Sequence, residues 1–461
     1  MLCDPRKQTP LGSARVICAS LYAGPELGRV WVDNLDDADG VLDALKPYFE
    51  DARLLKVWHN YSFDRAALWN HGIDVRGLGA DTLHMARLLN TSHTSYSLDA
   101  LCAELDVRSN DAHGGGASKT PMKVRFARPR ILKNGAPSKS AVEMPTTEQL
   151  QRDPATLADW IDYAVLDAEL TFWLRLRLQN ALQAERLICD VQRAAESPAF
   201  DASLVRSLYD VYVRMLRPFG EALTDIERIG VQLDGALLRR IQLCAETDRD
   251  SLLASVREWA VAHTGAPDAA RINFDSAKQL QDWLFGAEGD VVKFEVENTE
   301  GEVLEGRSRP LKYRTVCVPA LGLPVQAYTK ANKPSADGAG LRRLAGAAPQ
   351  HAERPAFGAA LERLGETGCV ALDKLLDAKA MQSLLASFIV PLQALGDEVG
   401  RVHGSLNINT ETGRLSSRNP NLQNQPALEK DRYQIRRAFC AQPPHNTLIV
   451  ADYGQLELRL L

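Results

Sequence analysis

Thr447-Leu448-Ile449-Val450-Ala451-Asp452-Tyr453-Gly454-Gln455-Leu456-Glu457-Leu458-Arg459 closes a chain of 461 residues, and what precedes it is best read outward from here. Its apolar, β-rich opening predicts a buried strand over 447–451. Asp452 then falls where that strand ends, so a fixed carboxylate is presented at a sheet edge. Such a carboxylate suits a hard divalent cation, which takes oxygen ligands. Taken alone, an aspartate there reads as a turn cap sooner than as a metal ligand. Upstream, Thr412-Gly413-Arg414-Leu415-Ser416-Ser417-Arg418-Asn419-Pro420-Asn421-Leu422-Gln423-Asn424-Gln425-Pro426 carries two arginines among amides and hydroxyls, with turn formers at Gly413, Pro420 and Pro426. It can offer forked donors to phosphate and to minor-groove acceptors, but it cannot form a core.

The pair TGRLSSRNPNLQNQP and ADYGQLELR resembles the family A DNA polymerases, those related to bacterial DNA polymerase I. With Gly454, Leu456 and the upstream NQPALEKDRYQIR, the form is most similar to the plant and protist organellar branch. The resemblance implies that Asp452 is the first of two palm carboxylates that bind the catalytic Mg2+ ions. It implies that Arg414, Gln423 and Asn424 touch the primer–template DNA, that Gln455 lies near the nascent pair, and that Glu457 excludes a ribose 2′-hydroxyl. Deoxynucleoside triphosphates are the implied second substrate, and replisome partners are left open.

Composition bounds the rest. The length allows two or three domains, and the hydrophobic and charged fractions, 45% and 25%, are those of a globular protein. With a net charge of −5, DNA contact has to come from local basic patches. The eight cysteines show neither zinc-site nor scaffold spacing and are expected as reduced thiols. No apolar run is expected to span a bilayer, so no membrane is expected as a partner. Residues 1–10 lack both a signal-peptide core and transit-peptide character; the organellar resemblance implies a chloroplast or mitochondrial destination and a targeting segment missing from this chain.

Residues 1–195 read as an α/β domain. Strands are expected at 14–21 and 29–32 around Gly24-Pro25 and at Lys56-Val57-Trp58; Asp64 is expected to open a helix reaching His71, and a long helix is expected over 157–182. Tyr163 and Asp167, four apart, share a helix face, where a phenol and a carboxylate can hold a water against a metal. Alone, Asp64 reads as a helix cap and the Tyr163/Asp167 pair as surface packing. Together, HNYSFD and YAVLD resemble the second and third motifs of ribonuclease H-like 3′–5′ exonucleases. The resemblance implies that Asp64 and Asp167 are metal ligands, that Tyr163 orients the attacking water, and that Asn60 and Phe63, with His59, support Asp64 and the bound strand. Asp81 reads as a cap. The family's Asp-x-Glu is absent before residue 40, and Asp4 has no partner glutamate, so little exonuclease activity is expected.

Between 110 and 142, Lys119, Lys123, Arg125, Arg128, Arg130, Lys133 and Lys139 fall among Gly, Pro and Ser. This reads as a flexible solvated insert or a basic arm on the DNA backbone. Residues 196–400 read as a helical connector and thumb. Pro218 breaks an amphipathic pattern over 201–229, 230–234 forms a turn, and Asp275 or Ser276 caps a helix. An insert at 286–340 carries candidate strands at 316–318 and 325–328, and 370–395 is helical. Residues 401–461 begin the palm. The fold class is therefore α/β plus α+β: exonuclease-like domain, mainly helical thumb, partial palm. The expected function is a DNA-directed polymerase with a proofreading domain, incomplete after Leu461 and inactive alone. The alternatives are a stand-alone 3′–5′ exonuclease or a non-catalytic DNA-binding fragment.

Overall fold

A computed structural model describes residues 9–109, 116–131, 136–186, 205–287, 289–298, 312–347, 356–408, 410, 412–426, 431–442 and 446–460. Asp4, Cys3, Cys189 and Lys133 lie outside them. The chain divides into two compact units: residues 1–233, 395–425 and 440–461, and residues 234–394 and 426–439.

In the first unit, Cys18–Tyr22 and Arg29–Asp33 form an antiparallel pair, and Lys56–Trp58 runs parallel to Leu78–Asp81. Helices alternate with these strands, as an α/β layer requires. The dominant helix, Pro154–Ala184, is nucleated by sequence: the Asp153 side chain accepts the Ala155 N–H, and Pro154 sits in the first turn, where its missing donor costs nothing. Leu166, Leu170, Leu174, Leu178 and Leu182 recur every four residues and are all buried, giving one continuous stripe. That stripe packs with Met85, Leu101 and Tyr212 into a single core.

The structure moves several boundaries. The helix after Lys56–Trp58 begins at Tyr61, not Asp64, and ends at Trp69, short of His71. Its N-cap is Asn60 in the left-handed region, which asparagine tolerates because its short side chain can bond locally. Asp64 is thus a first-turn residue rather than a cap. The basic insert is partly built: Met122–Phe126 is a short helix whose Phe126 packs on Trp160, and Arg128–Ile131 pairs with Pro137–Glu143. Residues 231–233 form a strand against Arg401–Val402 rather than a turn. Pro218 stands at the start of Arg217–Ile229, just after a π-helical turn over Tyr212–Leu216.

The largest correction concerns 447–451. These residues form no strand and are exposed, Val450 at 93%. A β-run becomes a strand only when a ladder pairs its amides, and among the described residues nothing pairs with this one. By contrast Ser416–Arg418, within the segment expected to be held by turns, pairs with Ser405–Asn407.

The second unit packs Gly235–Thr264 against Leu361–Leu384, with Trp283 and Phe274 at its centre. Ser276, not Asp275, caps Ala277–Phe285. Val291–Glu297 and Tyr313–Pro319 form a hairpin, whereas 325–328 contributes only an isolated bridge at Tyr328. Contrary to the sequence reading, Leu361–Ala394 is long and apolar enough to cross a membrane on length and composition alone. Its Leu364, Cys369, Leu372 and Leu375 are spent in the unit's core.

Candidate nucleic-acid interface and carboxylate cluster

The loop that presents Asn60 and Asp64 is held from behind by Asp81. That carboxylate is fully buried and accepts the N–H groups of Asn60 at 3.0 Å, Tyr61 at 2.8 Å and Leu83 at 2.9 Å. It therefore caps Thr82–Leu89, as the sequence implied, and also fixes the left-handed turn at Asn60. The hydroxyl of Tyr212 accepts the Asp81 N–H at 2.7 Å, and His59 Nδ1 meets Thr82 Oγ1 at 2.8 Å. Burial, with Asp81's charge behind it, pushes the Asp64 carboxyl up to about 7.

Asp167 stands in the middle of Pro154–Ala184, one turn beyond Tyr163. Its carboxylate is held by the ammonium of Lys119, which also lies 4.0 Å from the centre of the Tyr163 ring. Burial raises the Asp167 carboxyl even so, with Asp99 acting in the same direction and Lys119 against it. Tyr163 is stacked on Trp160 and meets Phe126 edge-on, so its ring is clamped. The carboxylate that acts on Asp64 is Asp81, and the one that acts on Asp167 is Asp99. Among the described residues no three acidic, histidine or cysteine side chains gather as a metal site. The side chains present therefore do not fit the expected two-metal centre.

The palm motifs lie on the same unit. Arg414 is exposed beside Gly413, whose φ of 74° makes the tight turn. The Gln423 and Asn424 N–H groups both donate to Asn421 Oδ1, at 3.0 and 3.2 Å, and both side chains are exposed. Asp452 and Gln455 are exposed too, Gln455 with a left-handed φ of 56°. Glu457 lies in Leu456–Leu460, its side chain outside the described residues. The structure thus brings Arg414, Gln423 and Asn424 onto one short segment and leaves Asp452 solvated.

Two residues escaped sequence reasoning. Glu227 accepts hydrogen bonds from the Ser62 hydroxyl and the Leu406 N–H, tying the Asn60–Asp64 helix to Ser405–Asn407. A cavity of about 390 Å3 opens beside it, lined by Asn60, Phe63, His403, Ser405 and Arg418. Lys119 was legible only as one cation of a basic run. No local signal marks either residue, since their partners lie 48 to 179 positions away.

Residues 352–461 match the family described as DNA polymerase family A, and residues 8–110 match the family described as 3'-5' exonuclease. Over 99% of its length the chain is 38% identical to DNA polymerase I A, chloroplastic, of Oryza sativa subsp. japonica, covering 48% of that protein. The matches are to the family A DNA polymerases. Another relative is DNA polymerase I A, chloroplastic/mitochondrial, of Arabidopsis thaliana, 36% identical over 99% of this chain and 48% of its own length. The chain therefore spans about half the length of these relatives. The fold of the Pol1 POL domain from M. smegmatis, solved in complex with DNA primer-template and dNTP, covers 90% of this chain and 50% of its own, at 20% identity and a TM-score of 0.51.

Proposed function

We propose that this chain is part of a DNA-directed DNA polymerase that holds primer–template DNA and serves organellar replication or repair, in a chloroplast or mitochondrion. The observation that carries the reading is the order of two motif sets on one chain. HNYSFD and YAVLD come first, and TGRLSSRNPNLQNQP with DYGQLELR follows. The chloroplast and mitochondrial relatives from plants support the organelle, and the primer-template and dNTP bound by the structural neighbour support the substrates. Arg414, Gln423 and Asn424 are the proposed minor-groove contacts, with Gln455 and Glu457 beside the incoming nucleotide.

Asp452 is the proposed palm ligand for Mg2+. When bound, the metal lowers the pKa of the primer 3′-hydroxyl and steadies the leaving pyrophosphate. Among the described residues no group of three acidic, histidine or cysteine side chains gathers at Asp452. The proposal therefore places nucleotidyl transfer in an assembly that supplies one, and assigns DNA holding to the residues described here. A non-catalytic role for the exonuclease-like region is favoured by the Lys119 ammonium that holds the Asp167 carboxylate.

Fluorescence anisotropy with a labelled primer–template tests the reading. Binding is expected to be independent of sequence and to fall with salt, because a net charge of −5 leaves only local cations to displace counterions. Arg414→Ala is expected to weaken it on the order of tenfold. Absence of binding at low salt rejects the proposal, and primer extension by the purified chain alone rejects the assignment of transfer to a larger assembly.

A further inference from the structure

Lys119 is delivered to its place by two anchors. On one side, Ser109 and Ala117 clasp the neck of the preceding segment: the Ser109 N–H donates to the Ala117 carbonyl at 3.0 Å, and the Ala117 N–H donates to Ser109 Oγ at 2.7 Å. On the other, Met122–Phe126 plugs Phe126 against Trp160 and Tyr163. Between them the Lys119 side chain is only 7% exposed, its ammonium on Asp167 and over the Tyr163 ring. A surface lysine meets neither condition. It would keep its head in water, as lysine stems normally allow. Here a strongly hydrated charge has been brought inward, and a carboxylate together with an aromatic face replaces its water.

We propose that Lys119 is a built-in counter-cation that takes the place of a divalent metal at Asp167 and keeps that carboxylate closed to metal. The proposal rests on the exonuclease-like reading of HNYSFD and YAVLD, and it assigns to the basic insert a function inside the domain rather than on DNA. An ammonium satisfies Asp167 with one charge and hydrogen-bond donors, yet offers no open coordination position for a water or a phosphate. Asp64, by contrast, is backed by the carboxylate of Asp81. The cluster is arranged to be stable without metal, at the cost of the geometry that metal-dependent hydrolysis needs.

Manganese binding, read by the electron paramagnetic resonance of free Mn2+, tests this on the whole chain stripped of metal. Four proteins form the cycle: the unaltered chain, Lys119→Met, Asp167→Asn and the double variant. Lys119→Met keeps the apolar stem and removes the charge. It is expected to gain a site that binds Mn2+ roughly tenfold or more tightly than the unaltered chain, lost again in the double variant. Lys119→Arg keeps the charge and is expected to gain nothing. If the unaltered chain already binds Mn2+ in a way that Asp167→Asn abolishes, or if Lys119→Met gains no site, the proposal is wrong.

A measurement that needs no variant stands beside it. Lys119 is expected to resist amine acylation relative to Lys123, as read by mass spectrometry, and to remain protected when Mn2+ is added. Labelling that rises with Mn2+ means that metal displaces the ammonium, and overturns the proposal. Primer–template affinity measured on the same samples reports separately on the polymerase reading. Its loss leaves the manganese comparison intact.

Discussion

Asp81 shows what one residue can carry. Three backbone N–H groups converge on its buried carboxylate, so removing the side chain leaves three donors without a partner. Burying even one unsatisfied donor costs about 1–3 kcal/mol. Asp81→Ala is therefore expected to lower unfolding stability by about 3 kcal/mol, allowing for relaxation of the loop. It is also expected to broaden the amide resonances of Asn60 and Tyr61. Asp81→Asn, which keeps an acceptor oxygen, should fall between. Urea denaturation measures both, and a loss under about 1 kcal/mol for Asp81→Ala means that the loop is held by something else. Sequence made Asp81 legible as a helix cap because capping is local. Its hold on Asn60 was not legible, because that bond closes across 21 positions.

Among the elements, Arg217–Ile229 gains its meaning from Glu227, which it presents to Ser62 and Leu406 at once. Burial raises the Glu227 carboxyl, against the opposing pull of the Leu406 N–H and the hydroxyls of Ser62 and Ser405. In the unfolded chain this group ionises near its ordinary value of 4.5. Above that value the unfolded state gives up the proton first, so stability is highest below it and falls as pH rises through the folded value. Glu227→Gln keeps an acceptor and cannot ionise. Its melting temperature is expected to be flatter with pH than that of the unaltered chain, and equal or higher near neutrality. A pH profile that remains as steep as before assigns the dependence to another group. The helix itself was predictable from its apolar spacing and from Pro218; the errand it performs was not. The reverse holds at 447–451, where composition promised a strand and the ladder that makes one is not among the described neighbours.

At the scale of the whole molecule, the family resemblance was legible from two short motif pairs, because each is contiguous in the sequence. The long helix Pro154–Ala184 was legible for a different reason: its leucine stripe runs unbroken by glycine or proline. The candidate site was half legible. Tyr163 and Asp167 could be read as sharing one helix face, but the lysine on Asp167 could not, because it arrives from 48 positions away. Net charge told little, since −5 is spread over a surface on which Arg414 and the basic insert stand out locally.

The bare run around Ile449 has a practical outcome for anyone handling this protein. Leu448, Ile449 and Val450 are 52%, 86% and 93% exposed, and Tyr453 follows at 73%, so an unladdered row of amides sits beside branched apolar side chains. That combination is the template on which like chains add edge to edge. Light scattering of the purified chain is expected to climb with concentration, and Val450→Asp to suppress the climb while leaving the circular dichroism spectrum unchanged. Scattering that ignores the substitution locates the stickiness elsewhere. In the terms of solution behaviour, the stretch that carries the family resemblance most clearly is also the one expected to set how concentrated the chain can be kept.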